Sequence, residues 1–177
     1  MKLIQAVIIV LVVGVVGAVL LAYAGAFNVA ADVPHGRLTY NFLEMLRDRS
    51  IAVRAGEIRV PQLDDQKMIA AGAAHYAEMC SGCHLAPGLS GSEIREGLYP
   101  QPPKLIESKS LLPAREFWVI KHGIWTTAMP AWGTTHSDTA IWNIVAFLRK
   151  LPNMQVEEYK KLTAGAEQEH DQEDHAH

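Results

Sequence analysis

The chain is poor in cysteine: its 177 residues include only two, Cys80 and Cys83. A thiolate-rich zinc site needs a second pair, which the sequence does not contain. No strand-helix-strand pattern surrounds the two, which argues against a thioredoxin-like dithiol. Basic excess is missing as well. Residues 32 to 163 carry 15 Lys and Arg against 14 Asp and Glu, so the body has no cationic footprint for nucleic acid. Charge of either sign is absent from Leu3 to Ala31, and Ala164 to His177 lacks both basic and large apolar residues.

What is present centres on Cys80-Ser81-Gly82-Cys83-His84. This spacing attaches haem through two thioether bonds and offers the next residue to the iron. Cysteines three apart on about one helical turn reach the same edge of the macrocycle. His84 then presents an imidazole, one nitrogen for the metal and the other in need of a partner that sets the tautomer. The cofactor expected is one covalent haem c.

The uncharged N-terminal run is long enough for a bilayer, since about 20 apolar residues cross its hydrocarbon core. Residues 1–27 therefore read as a transmembrane anchor. The alternative is a signal peptide, with Ala22-Tyr23-Ala24 and Ala24-Gly25-Ala26 as small-residue cleavage sites. Lys2 stays inside and the chain after Phe27 goes outside, which predicts a bacterial inner-membrane protein whose haem domain faces the periplasm. Residues 28–63 read as a connector. Leu38, Phe42, Met45 and Leu46 recur at helical spacing, with Arg47 and Arg49 at the end where a helix dipole favours cations. An extended arm or small hairpin is expected from Ile51 to Pro61. The connector is either a collar packed on the domain or lying on the bilayer, or a docking surface for a membrane partner.

The haem domain is placed at 64–162. Asp64 reads as the N-cap of a helix running to about Met79, in which Gly72 and Tyr76 set a bare backbone patch beside an aromatic ring. Such a patch permits a close crossing. Its partner is a helix opened by the Thr135/Asp138 capping signature and striped by Ile141, Ile144, Val145, Leu148 and Leu151. Pro113 and Gly123 frame a third helix, and the prolines of 99–105 give a rigid extended path suited to a pocket wall. For the sixth iron ligand, methionine opposite histidine suits electron transfer. Met129 is the candidate, in a loop where Pro130 keeps it out of helical geometry. Trp125 and Trp132 flank it, lining the haem or bonding a propionate through the indole N–H; plain core packing is the other reading for Trp125.

These residues resemble a membrane-anchored, mono-haem class I c-type cytochrome over about Asp64 to Leu151. The resemblance rests on Gly72/Tyr76, the Cys80–His84 motif, Met129-Pro130-Ala131-Trp132 and the aromatic C-terminal helix. It implies an all-α class I cytochrome c fold, three to five helices around one covalent haem, preceded by a single transmembrane helix. It also implies thioethers at Cys80 and Cys83, His84 as proximal ligand and Met129 as distal ligand. Pro103-Lys104-Leu105 resembles the family's Pro-x-Leu element, whose proline carbonyl accepts from the ligand histidine. Pro103 is then the partner of His84, with Pro87 and Pro102 as nearby alternatives.

The acidic tail, 163–177, cannot form a core and reads as disordered, with His170, His175 and His177 as weak metal ligands at most. The expected function is one-electron transfer without substrate chemistry. The donor would be a membrane dehydrogenase or quinol-oxidising complex, the acceptor a terminal oxidase or reductase. A fixed haem subunit of a larger oxidoreductase is the alternative. A gas sensor or peroxidase, the remaining reading, requires that Met129 be easily displaced.

Overall fold

A computed structural model of the chain describes residues 2–26, 28–34, 36–108 and 112–164. It is helical, with no strand among the described residues, and divides into two compact units, Met1–Val33 and Pro34–His177. The stretch read as a connector is thus largely contained in the second unit.

The first unit is α1, Lys2–Tyr23, which buries none of its residues and carries no charged side chain after Lys2. At 1.5 Å per residue its 22 residues span about 33 Å, against roughly 30 Å of bilayer hydrocarbon. It has the length and composition to cross a membrane.

The second unit opens with α2, Arg37–Ala55, which runs past the point where the sequence suggested an extended arm. The reason is tertiary. Ile51 and Ala55, one turn apart, are both buried and α2 packs against the helix at Pro113–His122, so this packing overrides the β-branched character of the stretch. Between α2 and the next helix only 56–65 lie outside helix. Helix α3, Gln66–Met79, is capped by Asp65 rather than Asp64; the Asp65 carboxylate accepts from the Lys67 N–H at 2.8 Å. Two single turns follow, α4 at Ser81–His84 and α5 at Glu93–Glu96. Helix α6, Pro113–His122, begins on its proline and ends at Gly123. A 3-10 turn at Trp132–Thr134 leads to α7, Asp138–Leu148. Its cap is Ser137, whose hydroxyl accepts from the Ala140 N–H at 3.2 Å, because Thr135 is engaged with His136 instead. Residues 156–164 form α8 and lay Tyr159 and Leu162 on the core. The tail expected at 163–177 overlaps α8 by two residues, and its three histidines lie outside the described residues.

The core sits where α3 crosses α7. Ala73, Tyr76, Ile141, Ile144, Val145 and Phe147 are fully buried there, and the Tyr76 and Phe147 rings meet at 5.2 Å. Gly72 makes the crossing possible. A Cβ at this position would overlap the Asn143 carbonyl and approach the Phe147 Cβ to 2.9 Å. Both obstacles belong to rigid backbone or its first side-chain atom, so neither can step aside. Gly72→Ala is therefore expected to destabilise the domain by about 1–3 kcal/mol through overpacking. Urea unfolding will show this as a lower midpoint with an unchanged slope.

Candidate functional site

The chain leaves α3 directly into the cysteine motif. The Cys83 and His84 N–H groups both donate to the Cys80 carbonyl, at 3.1 and 2.8 Å, and the Ser81 hydroxyl donates back to the Ala77 carbonyl at 2.6 Å. This tight turn brings Cys80, Cys83 and His84 to one wall of a cavity of about 730 Å³, a volume in the usual range for cofactor sites.

The turn ends under constraint. Leu85 has φ of +65°, a conformation that favours glycine, yet it is buried. Tyr76, itself fully buried, donates its hydroxyl to the Leu85 carbonyl at 2.5 Å. The core crossing and the motif are thus joined by one hydrogen bond. Ser92 further ties the loop by donating to the Gly82 carbonyl.

His84 is oriented from its other side. Its Nδ1 lies 2.9 Å from the Pro103 carbonyl, and the Leu105 N–H donates to the His84 carbonyl at 3.2 Å. A carbonyl only accepts, so Nδ1 carries the proton and Nε2 keeps its lone pair. Burial lowers the His84 pKa and nearby Arg95 adds to this, against the raising effect of the Pro103 bond. The neutral ring is the metal-binding form. Arg95 is buried and holds the proline path, donating to the Pro102 carbonyl and, at 3.1 Å, to Gln101 Oε1.

The loop after α6 supplies Thr127, Ala128, Met129 and Trp132 to the same cavity. Gly123 sets its path: φ is +66°, and a Cβ there would lie 2.7 Å from the Met129 carbonyl and 2.8 Å from the Pro130 carbonyl carbon. The Ile124 N–H donates to that Met129 carbonyl at 3.2 Å, and the Met129 N–H donates to Thr127 Oγ1 at 3.1 Å. Of the two tryptophans read from the sequence, Trp132 lines the cavity and Trp125 does not. Trp125 is 85% exposed, carried outward by the turn it shares with Thr126, whose φ is +62°.

Sequence reasoning missed the wall contributed by α2. Tyr40, Arg47, Asp48 and Ile51 line the cavity, and Arg47, expected at a helix end, lies mid-helix beside it. Burial opposes the Arg47 charge, but Asp48 at 2.9 Å and Glu44 at 3.3 Å outweigh it and raise its pKa. The signal was present in the spacing of Leu43, Arg47, Ile51 and Ala55, one helical face opposite the more obvious apolar stripe.

Burial, with Cys83 close by, pushes the Cys80 thiol up to about 12, so Cys80 is not an activated thiolate. Two thiols a turn apart, a histidine with a free nitrogen, a thioether and mostly apolar walls fit a haem joined through carbon–sulfur bonds. Residues 67–148 match the family described as cytochrome C oxidase, cbb3-type, subunit III. Residues 67–148 are a c-type cytochrome domain, consistent with a single haem. It has the all-α class I cytochrome c fold and carries a covalently bound haem c. Its role is electron transfer rather than catalysis. Searches of curated proteins and of solved structures found no match to the chain.

One consequence of the cytochrome's clamped turn is measurable. Burial, with a smaller effect of Cys80 and Tyr159, raises the Tyr76 pKa above its ordinary 10.0. Above about pH 10 the unfolded chain binds fewer protons than the folded one, so stability is fully present below that pH and falls as pH rises beyond it. Tyr76→Phe is expected to flatten this alkaline loss. At neutral pH it costs about 1–3 kcal/mol, because the Leu85 carbonyl is left without its partner. Urea midpoints measured from pH 7 to 11 check both effects.

Proposed function

We propose that this cytochrome is a one-electron carrier whose haem is joined at Cys80 and Cys83 and ligated by His84 and Met129. The observation that carries the reading is the convergence of one cavity, with Cys80, Cys83, His84 and Met129 all in its lining and His84 held in the iron-binding tautomer by Pro103. The thiols supply the covalent attachment, and Trp132 forms part of the wall. Bound there, the haem supplies the one-electron redox couple. His84 and Met129 would together hold the iron and leave no place for substrate, a pairing that favours a raised potential. The domain 64–162 would do the electron transfer on the periplasmic side of the bacterial inner membrane, tethered by residues 1–27. Its partners would be a membrane dehydrogenase or quinol-oxidising complex and a terminal oxidase or reductase, with the tether raising their effective concentration.

A second reading, a fixed haem subunit of a larger membrane oxidoreductase, has one observation in its favour. The outer face of α2 leaves Leu38 at 88%, Phe42 at 57% and Val53 at 63% exposed, with Met45 and Leu46 beside them. Five large apolar side chains on one helical face fit the membrane helices of a partner subunit. The matched family's description, an oxidase subunit, points the same way. Retention of a stable partner through purification in mild detergent would favour this reading over a free carrier.

The test of ligation compares the haem-loaded chain with Met129→Ala. The parent is expected to show the sulfur-to-ferric-iron charge-transfer band and to resist carbon monoxide, and the variant to lose the band and bind the gas. A parent that lacks the band or takes up carbon monoxide rapidly would sink the His/Met reading and favour a sensor or peroxidase. Gly123→Ala provides a graded version. It should cost about 1–3 kcal/mol of backbone strain and weaken the same band, because its Cβ displaces the Met129 backbone.

A further inference from the structure

The lining of the cavity is unevenly polar. Its charged side chains, apart from the His84 imidazole, are Arg47 and Asp48 on α2 and Arg115 and Glu116 in the first turn of α6. The remaining walls are chiefly proline, leucine, isoleucine, valine and methionine. The two helices are joined at this polar end, where Arg115 donates to the Asp48 carbonyl at 3.1 Å. Arg115 also keeps a donor in reserve: its Nε is buried and has no hydrogen-bond partner among the described residues. An unsatisfied guanidinium N–H shut away from water is costly, and in a cofactor cavity it marks the place of an acceptor.

Haem brings such acceptors. A macrocycle fixed through its vinyl groups carries two carboxylates on the edge remote from them, and a carboxylate entering an apolar wall unpaired is strongly disfavoured. Arginine suits this partner, because its planar fork meets both oxygens of a carboxylate. We propose that α2, which lies outside the family-matched segment 67–148, is a part of the haem site, and that its Arg47 acts with Arg115 of α6 to hold the haem carboxylates. The inference rests on the covalent haem reading above and extends it to a helix that precedes the cytochrome core. On binding, Arg47 exchanges part of its pairing with Asp48 and Glu44 for the haem carboxylate, while Arg115 satisfies its buried Nε.

The control for this proposal lies two residues away. Arg49 carries the same charge on the same helix, is exposed, and sits about 200° around the axis from Arg47. The experiment uses the full chain, haem-loaded in mild detergent, as parent, Arg47→Gln, Arg47→Lys and Arg49→Gln. The readouts are the pyridine haemochrome spectrum, the midpoint potential and the propionate-bending band in the resonance Raman spectrum. Loss of a cation beside the haem favours the ferric state, so Arg47→Gln is expected to lower the potential clearly below that of Arg49→Gln and to shift the propionate band. Arg47→Lys keeps the charge and loses the fork, so it should retain most of the potential and still shift the band. If Arg47→Gln and Arg49→Gln match in potential and neither moves the band, the assignment is overturned while the haem reading stands. A parent without a two-thioether haemochrome spectrum overturns both.

Discussion

The site depends on one close approach, Gly72 of α3 against the Asn143 carbonyl of α7. Two helices this near leave no freedom in where α3 ends, and α3 ends one residue before the first cysteine. From the same helix face, Tyr76 packs on Phe147 and reaches over to the Leu85 carbonyl. The position and exit direction of the cysteine motif are therefore consequences of core packing sixty to seventy residues away in sequence. A helix in water would gain little from glycine and lose about 1 kcal/mol; here its missing side chain is the condition for the crossing.

Around that fixed point the loops are held by individual hydrogen bonds, from side chains and from their own backbone, rather than by regular structure. Leu85, Gly123 and Thr126 all have positive φ, and each adjoins a residue of the cavity wall. Such conformations persist only where neighbours over-determine them. Tyr76 does so for Leu85; the Ile124–Met129 and Thr127–Ile124 bonds do so for the methionine loop. The proline path does the same with fewer bonds, since prolines at 100, 102 and 103 restrict the backbone before Arg95 bonds the carbonyl of 102.

What the sequence made legible follows from the range of each interaction. The cysteine spacing is a local covalent requirement, and Gly72 with Tyr76 is a local packing pattern, so both could be read directly. The Pro113 and Gly123 helix limits are likewise intrinsic to those residues. Caps were displaced by one or two positions because several candidate oxygens stand together at Asp64/Asp65 and at Thr135/Ser137. The fate of α2 was hidden for a different reason. Its obvious apolar stripe faces outward, and the face that matters contains Arg47, which reads as solvated until α6 and the cavity are placed beside it. Trp125 shows the converse: an aromatic beside the methionine loop reads as haem lining or as core, and a positive-φ turn leaves it exposed instead.

The arrangement suits electron transfer because the reaction moves a charge and should move little else. A change of one unit of charge in an apolar cavity acts strongly on every dipole and ion that is free to turn, and each reorientation adds to the barrier. Dipoles already fixed in place contribute field without that reorganisation. The His84 ring is tied to a proline carbonyl, its neighbouring cation Arg95 is buried and doubly bonded, and the methionine loop is held through its own backbone. The charged groups that remain are confined to the junction of α2 and α6, where Arg47, Asp48 and Arg115 already constrain one another. A pocket built in this way can let its field set the potential while its atoms stay close to their positions in both oxidation states.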